Sequence, residues 1–423
     1  MKKADKYLWR IGSPPPRLDQ HSAVKHRIIE SYVRDYISTL MAPAHIPRLQ
    51  LTLVDGFSGG GAYLDEDGQG LVDGSPALML RAVREARMSL NLGREKLRDL
   101  SVDFEFIDII PDTTKHLEHW IRGRGDEGLI DQTDLARTRV RCGKFLNELP
   151  RLIADVKRRK MGERAIFVLD QYAYDQLPMH DIATIMRSMK GSEVILNFNV
   201  GSLITFLSDR AANRLPMERV GLDQYIPWER LKFLKLNSQW RQLLQRDIAY
   251  GIRQEAGAKY ATIFFVRPSR ANPWDYWLIH LSNHYKAHEV MKNLHWKNAT
   301  YFGHELAPGI FTHGYIANDD AAYTQQGGFD FGAQAREECV DGIREHLGGL
   351  LFNDANPVCL GDVIQSLATR SPGSTEHFMA AAAQLHRSQD IVIADKNGRL
   401  LRPSKGYRMD SVIEANPTPR FLF

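Results

Sequence analysis

The feature that most constrains this chain is an alternation. Between residues 48 and 198, short apolar and β-branched runs are separated by amphipathic stretches of helical period. "LQLTLVD", "VDFEFIDII", "RTRVRCGKF", "AIFVLDQYAY" and "SEVILNFN" read as strands, with "GSPALMLRAVREA", "TTKHLEHWIRG", "NELPRLIADVKRRK" and "MHDIATIMRSM" as the helices between them. Strands joined by helices of about 10 to 15 residues run parallel, because each crossover returns the chain to the same end of the sheet. The expectation is an α/β protein with a Rossmann-like, doubly wound and mostly parallel sheet.

A helix precedes the sheet. "HSAVKHRIIESYVRDYISTLM" sets Val24, Ile28, Ile29, Tyr32, Tyr36, Ile37 and Leu40 at three- and four-residue spacing, with Ser22 as its N-cap. In "GSPALML", Ser75 reads as an N-cap and Pro76 as a first-turn proline. A stretch at about 205–258 lacks strand alternation and reads as a helical insertion, after which "YATIFFVRP" and "DYWLIHLSN" close the sheet. Trp228, Trp240, Trp274, Trp277 and Trp296 either pack in the core or line a groove.

At 423 residues the chain exceeds the roughly 250–300 at which a single core stops growing. We expect one domain over 1–335 and a second over 336–423. The second contains "LGDVIQSLATRS", then "STEHFMAAAAQLHRSQ" capped by Ser374 or Thr375, then "DIVIADKNGRLLRPS" with a hairpin signal at Asn397 and Gly398. Helix, helix, hairpin is the order of a small winged-helix-like module. Its basic residues Arg387, Lys396, Arg399, Arg402, Lys405 and Arg408 outnumber Asp390 and Asp395, which is either a solvated face or a nucleic-acid contact.

Composition narrows the class further. No run approaches 18 uncharged apolar residues, and no apolar segment follows the lysines of the N-terminus, so the expected location is the cytoplasm. Cys142, Cys339 and Cys359 are far apart and lack metal spacing, so reduced thiols are expected and no metal. A net charge of +4 permits a nucleic-acid partner without requiring one.

The chemistry concentrates in "VDGFSGGG", residues 54–61. A P-loop needs a Lys-Ser or Lys-Thr pair after the glycines, and none follows. A dinucleotide fingerprint needs G-x-G-x-x-G leading straight into a helix, and here the spacing fails and an acidic loop intervenes. A nucleoside loop of the form D-x-F-x-G-x-G is matched at Asp55, Phe57, Gly59 and Gly61, while a tight structural turn would use the same glycines. Asp108 ends the next strand, where an acid either accepts from ribose hydroxyls or caps the following helix. Asp170 ends the fourth, with Tyr172 and Tyr174 beyond it. That trio either binds and stacks an amine-bearing base or is a capping acid beside buried tyrosines.

Taken in order, "KHRIIESYV", "VDGFSGGGAY", "GSPALML", "FEFIDI", "FVLDQYAYDQLP", "VILNFN" and "HEVMKNLHWK" resemble the three-Cys-motif partner proteins, a bacterial family with a class I methyltransferase-like fold. The resemblance spans roughly residues 24–300. It implies S-adenosylmethionine binding at Asp55, Phe57, Gly59 and Gly61, with Asp108 on the ribose and Lys25 near the cofactor carboxylate. It implies Asp170 and Tyr172 as the catalytic pair, acting on a nucleic-acid base or another amine. It also implies a cysteine-rich partner protein, and a non-catalytic platform is the alternative use of the same fold. Two positions depart from the pattern: Lys144 stands where an acid usually holds the adenine amine, and Gln171 stands where proline fixes the turn between Asp170 and Tyr172.

Overall fold

A computed structural model describes residues 7–417 except 66, 161, 172–174, 208–210, 237–239, 267–275, 298–332, 354–355 and 404–405. Contacts divide the chain into two compact units, Met1–Leu294 and His295–Phe423.

The first unit carries the strands β1 (Arg48–Asp55), β2 (Ala62–Leu64), β3 (Leu71–Asp73), β4 (Asp99–Asp108), β5 (Thr138–Cys142), β6 (Arg164–Leu169), β7 (Gly191–Phe198), β8 (Tyr260–Val266) and β9 (Tyr276–Ser282). Between them run the helices α1 (Gln20–Met41), α2 (Ser75–Asn91), α3 (Pro111–Asp126), α4 (Gln132–Leu135), α5 (Phe145–Lys157), α6 (Met179–Ser188), α7 (Val200–Phe206), α8 (Ala211–Val220), α9 (Leu231–Leu234) and α10 (Trp240–Glu255). α11 (Tyr285–Lys297) follows β9.

Seven strands form one sheet in the order β5-β4-β1-β6-β7-β9-β8. β1 pairs in parallel with both β4 and β6, and the parallel pairing continues to β5 on one side and β7 on the other. β9 alone runs antiparallel, between β7 and β8. The chain winds outward from β1 to β5 and then restarts at β6, so the order reverses between β1 and β6. This is the doubly wound, mostly parallel sheet that the alternation predicts.

The strands are apolar on both faces because helices cover both. Val54, Phe167, Leu169, Val194, Leu196, Phe198, Trp277 and Ile279 share one core with Leu149 and Leu152 of α5, Ile182 and Ile185 of α6, and Ile248 and Ile252 of α10. Burying each such side chain contributes about 1.5–3 kcal/mol. The alternate residues turn to the other face, where Glu193 of β7 meets Tyr32 of α1 and Asp55 of β1 meets Ser75 of α2. The insertion between β7 and β8 is helical, as expected, with Trp228 and Trp240 packed against the core. Trp274 lies outside the described residues.

Three local expectations come out differently. The polar stretch after the glycines is an antiparallel hairpin, β2 with β3, whose turn is closed by Asp65 accepting from the backbone N–H of Gln69 and Gly70, each at 2.9 Å. α1 starts before Ser22, at Gln20. α2 has Gly74 in the N-cap position, because the Ser75 hydroxyl is committed elsewhere, to Asp55.

The second unit contains α12 (Ala333–Asn353), β10 (Val358–Cys359), α13 (Leu360–Leu367), α14 (Thr375–Arg387), β11 (Ile391–Ala394) and β12 (Val412–Ala415). Its three-stranded antiparallel sheet has β12 in the centre. Ser374 caps α14 in a capping box with His377. Gly398 makes the expected tight turn with φ +80°, but among the described residues the chain leaving it forms only a single bridge, Leu400 to Ala394, and β11 finds its partner strand in β12. Arg387, Lys396, Arg399, Arg402 and Arg408 are all exposed. Among the described residues no helix is long and apolar enough to cross a membrane, and no group of side chains could hold a metal ion.

Candidate functional site

The ends of β1, β4 and β6 bring the expected acids to one edge of the sheet, beside the point where the strand order reverses. Open α/β sheets bind ligands at that edge, because strand directions diverge there and leave a crevice. Asp55 is fully buried and holds the loop that follows it. Its Oδ1 accepts from the backbone N–H of Phe57 at 3.1 Å and its Oδ2 from the Ser75 hydroxyl at 2.6 Å. Burial pushes its carboxyl up to about 7, against the opposing effect of these two hydrogen bonds, and the nearby charges of Asp170 and Asp108 push the same way.

The glycines of the loop answer to packing as well as to backbone conformation. Gly59 and Gly61 have φ of +60° and +83°, a region that a side chain strains to enter. A Cβ on Gly56 would lie 2.8 Å from both Leu169 and Phe145. A Cβ on Gly60 would lie 2.1 Å from Cγ of Trp9. Trp9 is buried, donates from its indole N–H to the Ala62 carbonyl at 2.6 Å, and meets Tyr63 edge-on at 5.3 Å. The segment before α1 therefore straps the loop, with Leu64 bonded to Pro16 and Leu18. Phe57 packs at 6.4 Å on Phe145, the first residue of α5.

Asp108 ties the loop from the neighbouring strand. One carboxylate oxygen accepts from the N–H of Gly59 at 3.1 Å and the other from the N–H of Ile110 at 2.9 Å. Burial raises its pKa, and these backbone bonds pull against that rise. Both readings of Asp108 have a basis here: it is half-buried at the ligand edge, and it organises the turn into α3.

Asp170 has the densest set of partners. Lys25, a buried residue of α1, places its ammonium 2.7 Å and 2.6 Å from the two carboxylate oxygens. Asn197, at the end of β7, donates to the first of these oxygens at 2.7 Å. Burial alone would raise the Asp170 pKa, but the Lys25 charge and hydrogen bond outweigh it and hold the carboxyl below its usual range. Gln171 follows, 3% exposed, with neither its carboxamide oxygen nor its nitrogen hydrogen-bonded. The Asn197 carbonyl oxygen is likewise buried without a hydrogen bond.

Asp55, Phe57, Gly59, Gly61 and Asp108 thus form one loop system, and Lys25 joins Asp170 across 145 residues of sequence. Tyr172 and Tyr174 lie outside the described residues. Lys144 sits in the N-cap position of α5 and is exposed. Sequence reasoning missed Trp9, Ser75 as a partner of Asp55, and Asn197. Only Asn197 had a local signal, as a polar residue within the apolar run "VILNFN".

No protein-family model matches the chain, and neither does any curated protein. Solved structures that it resembles include a Legionella pneumophila protein described as DUF519, at 11% identity and a TM-score of 0.35 over 66% of this chain and 92% of that one. Human methyltransferase-like protein 13 in complex with S-adenosylhomocysteine shares 12% identity with a TM-score of 0.31, over 70% of this chain and 98% of that one. The O-methyltransferase of tomaymycin synthesis from Streptomyces achromogenes, in complex with S-adenosylmethionine, shares 10% with a TM-score of 0.29, over 63% and 92%. Likeness at this level carries no chemistry, so the fold rests on the strand order and the function on the site.

Proposed function

We propose that this chain is an S-adenosylmethionine-binding, methyltransferase-like protein of the three-Cys-motif partner kind, acting on an amine of a nucleic-acid base or of another acceptor. One observation carries the reading. The loop from Asp55 to Gly61, Asp108 and Asp170 meet at the C-terminal edge of a single sheet, where its strand order reverses. That edge suits the cofactor in charge. It is rich in carboxylates, and Asp55, raised to about 7, gains from any cation brought near it. Asp55 and the glycine loop would face the amino-acid portion, Asp108 the ribose, and Phe57 the apolar flank. When bound, the cofactor supplies an electrophilic methyl group on a sulfonium.

Such a transfer needs alignment and an unprotonated nucleophile more than strong acid or base catalysis. Asp170, kept ionised by Lys25, would orient the acceptor. Transfer of labelled methyl groups to nucleic acid by the purified protein, lost in Asp170→Ala, supports the enzyme; no transfer to nucleic acids or to small amines argues against it.

A second reading has its own support. Asp170 is already paired with Lys25 and Asn197, and Trp9 already fills the space over Gly60, as a platform without catalysis would have them. The second unit, read as a winged-helix-like module with its exposed basic residues, would then hold nucleic acid. The cysteine-rich partner would dock on the first. Co-purification of such a partner by wild type and Asp170→Ala alike would favour this reading.

A further inference from the structure

The positive charge of this chain is concentrated on one strip, formed by the edge strand β5 and by α5 beside it. Residues 137–160 contain nine lysines and arginines and two acids, Glu148 and Asp155. Asp103 and Glu105 of β4 also face them. Nine cations against four carboxylates leave a surplus of five, more than the +4 of the whole chain, so the remainder is slightly acidic. The four carboxylates are shared among six arginines. Glu105, buried, accepts from Arg139 at 3.1 Å, Arg141 at 3.4 Å and Arg151 at 2.9 Å. Asp103 takes Arg137 and Arg159, and Asp155 takes Arg151 and Arg158. Among the described residues Lys144, Lys157 and Lys160, all exposed, have no carboxylate partner.

The charges are arranged in line. Arg137, Arg139 and Arg141 share one face of the β5 segment, as their common partners on β4 require, and alternate residues recur about every 6.6 Å. α5, 13 residues and about 20 Å long, runs back along β5. Lys144 stands at its start, and Lys157 to Lys160 lie at the other end, where Arg159 and Arg137 meet on Asp103. Charge on an edge strand blocks pairing with another chain, and cations suit the end of a helix. Those roles need a few charges, not nine of one sign. Among the described residues none of the exposed large apolar side chains lies between 137 and 160, so the strip has no anchor for a membrane or a protein partner. Its single aromatic, Phe145, is buried, so it has no platform for stacking the bases of a single strand. A regular polyanion remains. We propose that this strip binds the phosphate backbone of duplex nucleic acid, without regard to sequence, over about six base pairs. The strip ends at Lys144, beside Phe145, which packs on Phe57 of the glycine loop, so a duplex held there lies next to the candidate site.

The test is fluorescence anisotropy of a labelled DNA duplex of about 20 base pairs, titrated with the full chain between about 50 and 200 mM salt. The logarithm of the association constant should fall against the logarithm of salt with a slope of about −4, as four or five phosphate contacts imply. Lys157→Ala/Lys160→Ala should make that slope shallower by about 2 and weaken binding roughly tenfold or more at 0.1 M salt. Neither lysine has a carboxylate partner among the described residues, so the fold is not at stake. Arg399→Ala/Arg402→Ala, on the second unit, removes the same charge and should leave the slope as it is. No duplex binding at the lowest salt, an unchanged slope in Lys157→Ala/Lys160→Ala, or a change confined to Arg399→Ala/Arg402→Ala would each overturn the proposal. Tighter binding of a single strand of the same length, or of phosphatidylserine vesicles, would overturn it too. No cofactor or methyl transfer enters the measurement, so the strip can fail while methylation of a small amine stands, and the reverse.

Discussion

α1 is anchored to β7 twice, and the two anchors are built to different ends. Near the start of β7, Tyr32 donates to Glu193, and His280 of β9 joins them with its Nε2 3.0 Å from the Tyr32 hydroxyl and 3.1 Å from the Glu193 carboxylate. All three residues are at most 3% exposed. Burial and Glu193 together raise the Tyr32 pKa, so the phenol stays a donor. At the far end of β7, Asn197 and Lys25 meet on Asp170, which is partly open, and buried acceptors there lack hydrogen bonds. The first cluster spends its polar groups on one another, apart from Nδ1 of His280. The second leaves an acceptor without a partner, at the edge of the sheet where the strand order reverses. Groups kept in this way cost stability, and the difference is measurable.

The largest expected effect is at the closed anchor. Glu193→Ala strands Tyr32 and His280 in the interior and should cost about 3–5 kcal/mol in chemical denaturation, as breaking a buried polar cluster does. The matching cut at the open anchor, Lys25→Met, should cost less, about 1–3 kcal/mol, because water can reach Asp170. If the two cuts cost the same, the distinction between the anchors fails.

Asp55 should show the opposite sign. Its carboxyl stands at about 7 in the folded chain against an ordinary 3.8, so the fold favours the protonated form. The stability this contributes is complete at low pH and is lost as pH rises through 7, by roughly 2–4 kcal/mol. Asp55→Asn should flatten the dependence between about pH 4 and 7 and stabilise the chain above it. Unchanged pH dependence in that variant would show that Asp55 is not the group responsible. Asp170, held low by Lys25, works in the other direction, adding stability above the ordinary carboxylate range that is lost on acidification.

The smallest expected effect is at Gln171. A buried carboxamide with no partner gains nothing from its polarity, so Gln171→Leu should be neutral or stabilising by up to about 1 kcal/mol. A loss above about 2 kcal/mol would mean that the amide is bonded in the folded chain.

Much of this was legible in the sequence, and the reason is locality. An acid directly after a strand must sit at the strand's end, so Asp55, Asp108 and Asp170 fall at one sheet edge once the alternation predicts parallel strands. The glycine spacing that excluded a P-loop is local too. What was hidden depends on contacts between distant segments. Ser75 has the sequence context of an N-cap, yet its hydroxyl serves Asp55, 20 residues earlier. Gly60 lies between the two matched glycines, and nothing local to it shows that Trp9, 51 residues earlier, fills the space over it. The hairpin of β2 and β3 has strands of three residues, too short to show alternation. The pairing of Lys25 with Asp170, 145 residues on, has no local signal either.

The central claim is a cationic nucleoside cofactor at the Asp55 loop, and calorimetry at pH 7 in phosphate and in Tris tests it most directly. S-adenosylmethionine should bind saturably with a heat that differs between the buffers, because a cation beside Asp55 expels up to about half a proton. S-adenosylhomocysteine, which lacks the sulfonium charge but keeps the amino-acid ammonium that would face Asp55, should show a buffer dependence of the same sign. No saturable heat with either ligand at millimolar concentration would contradict the account.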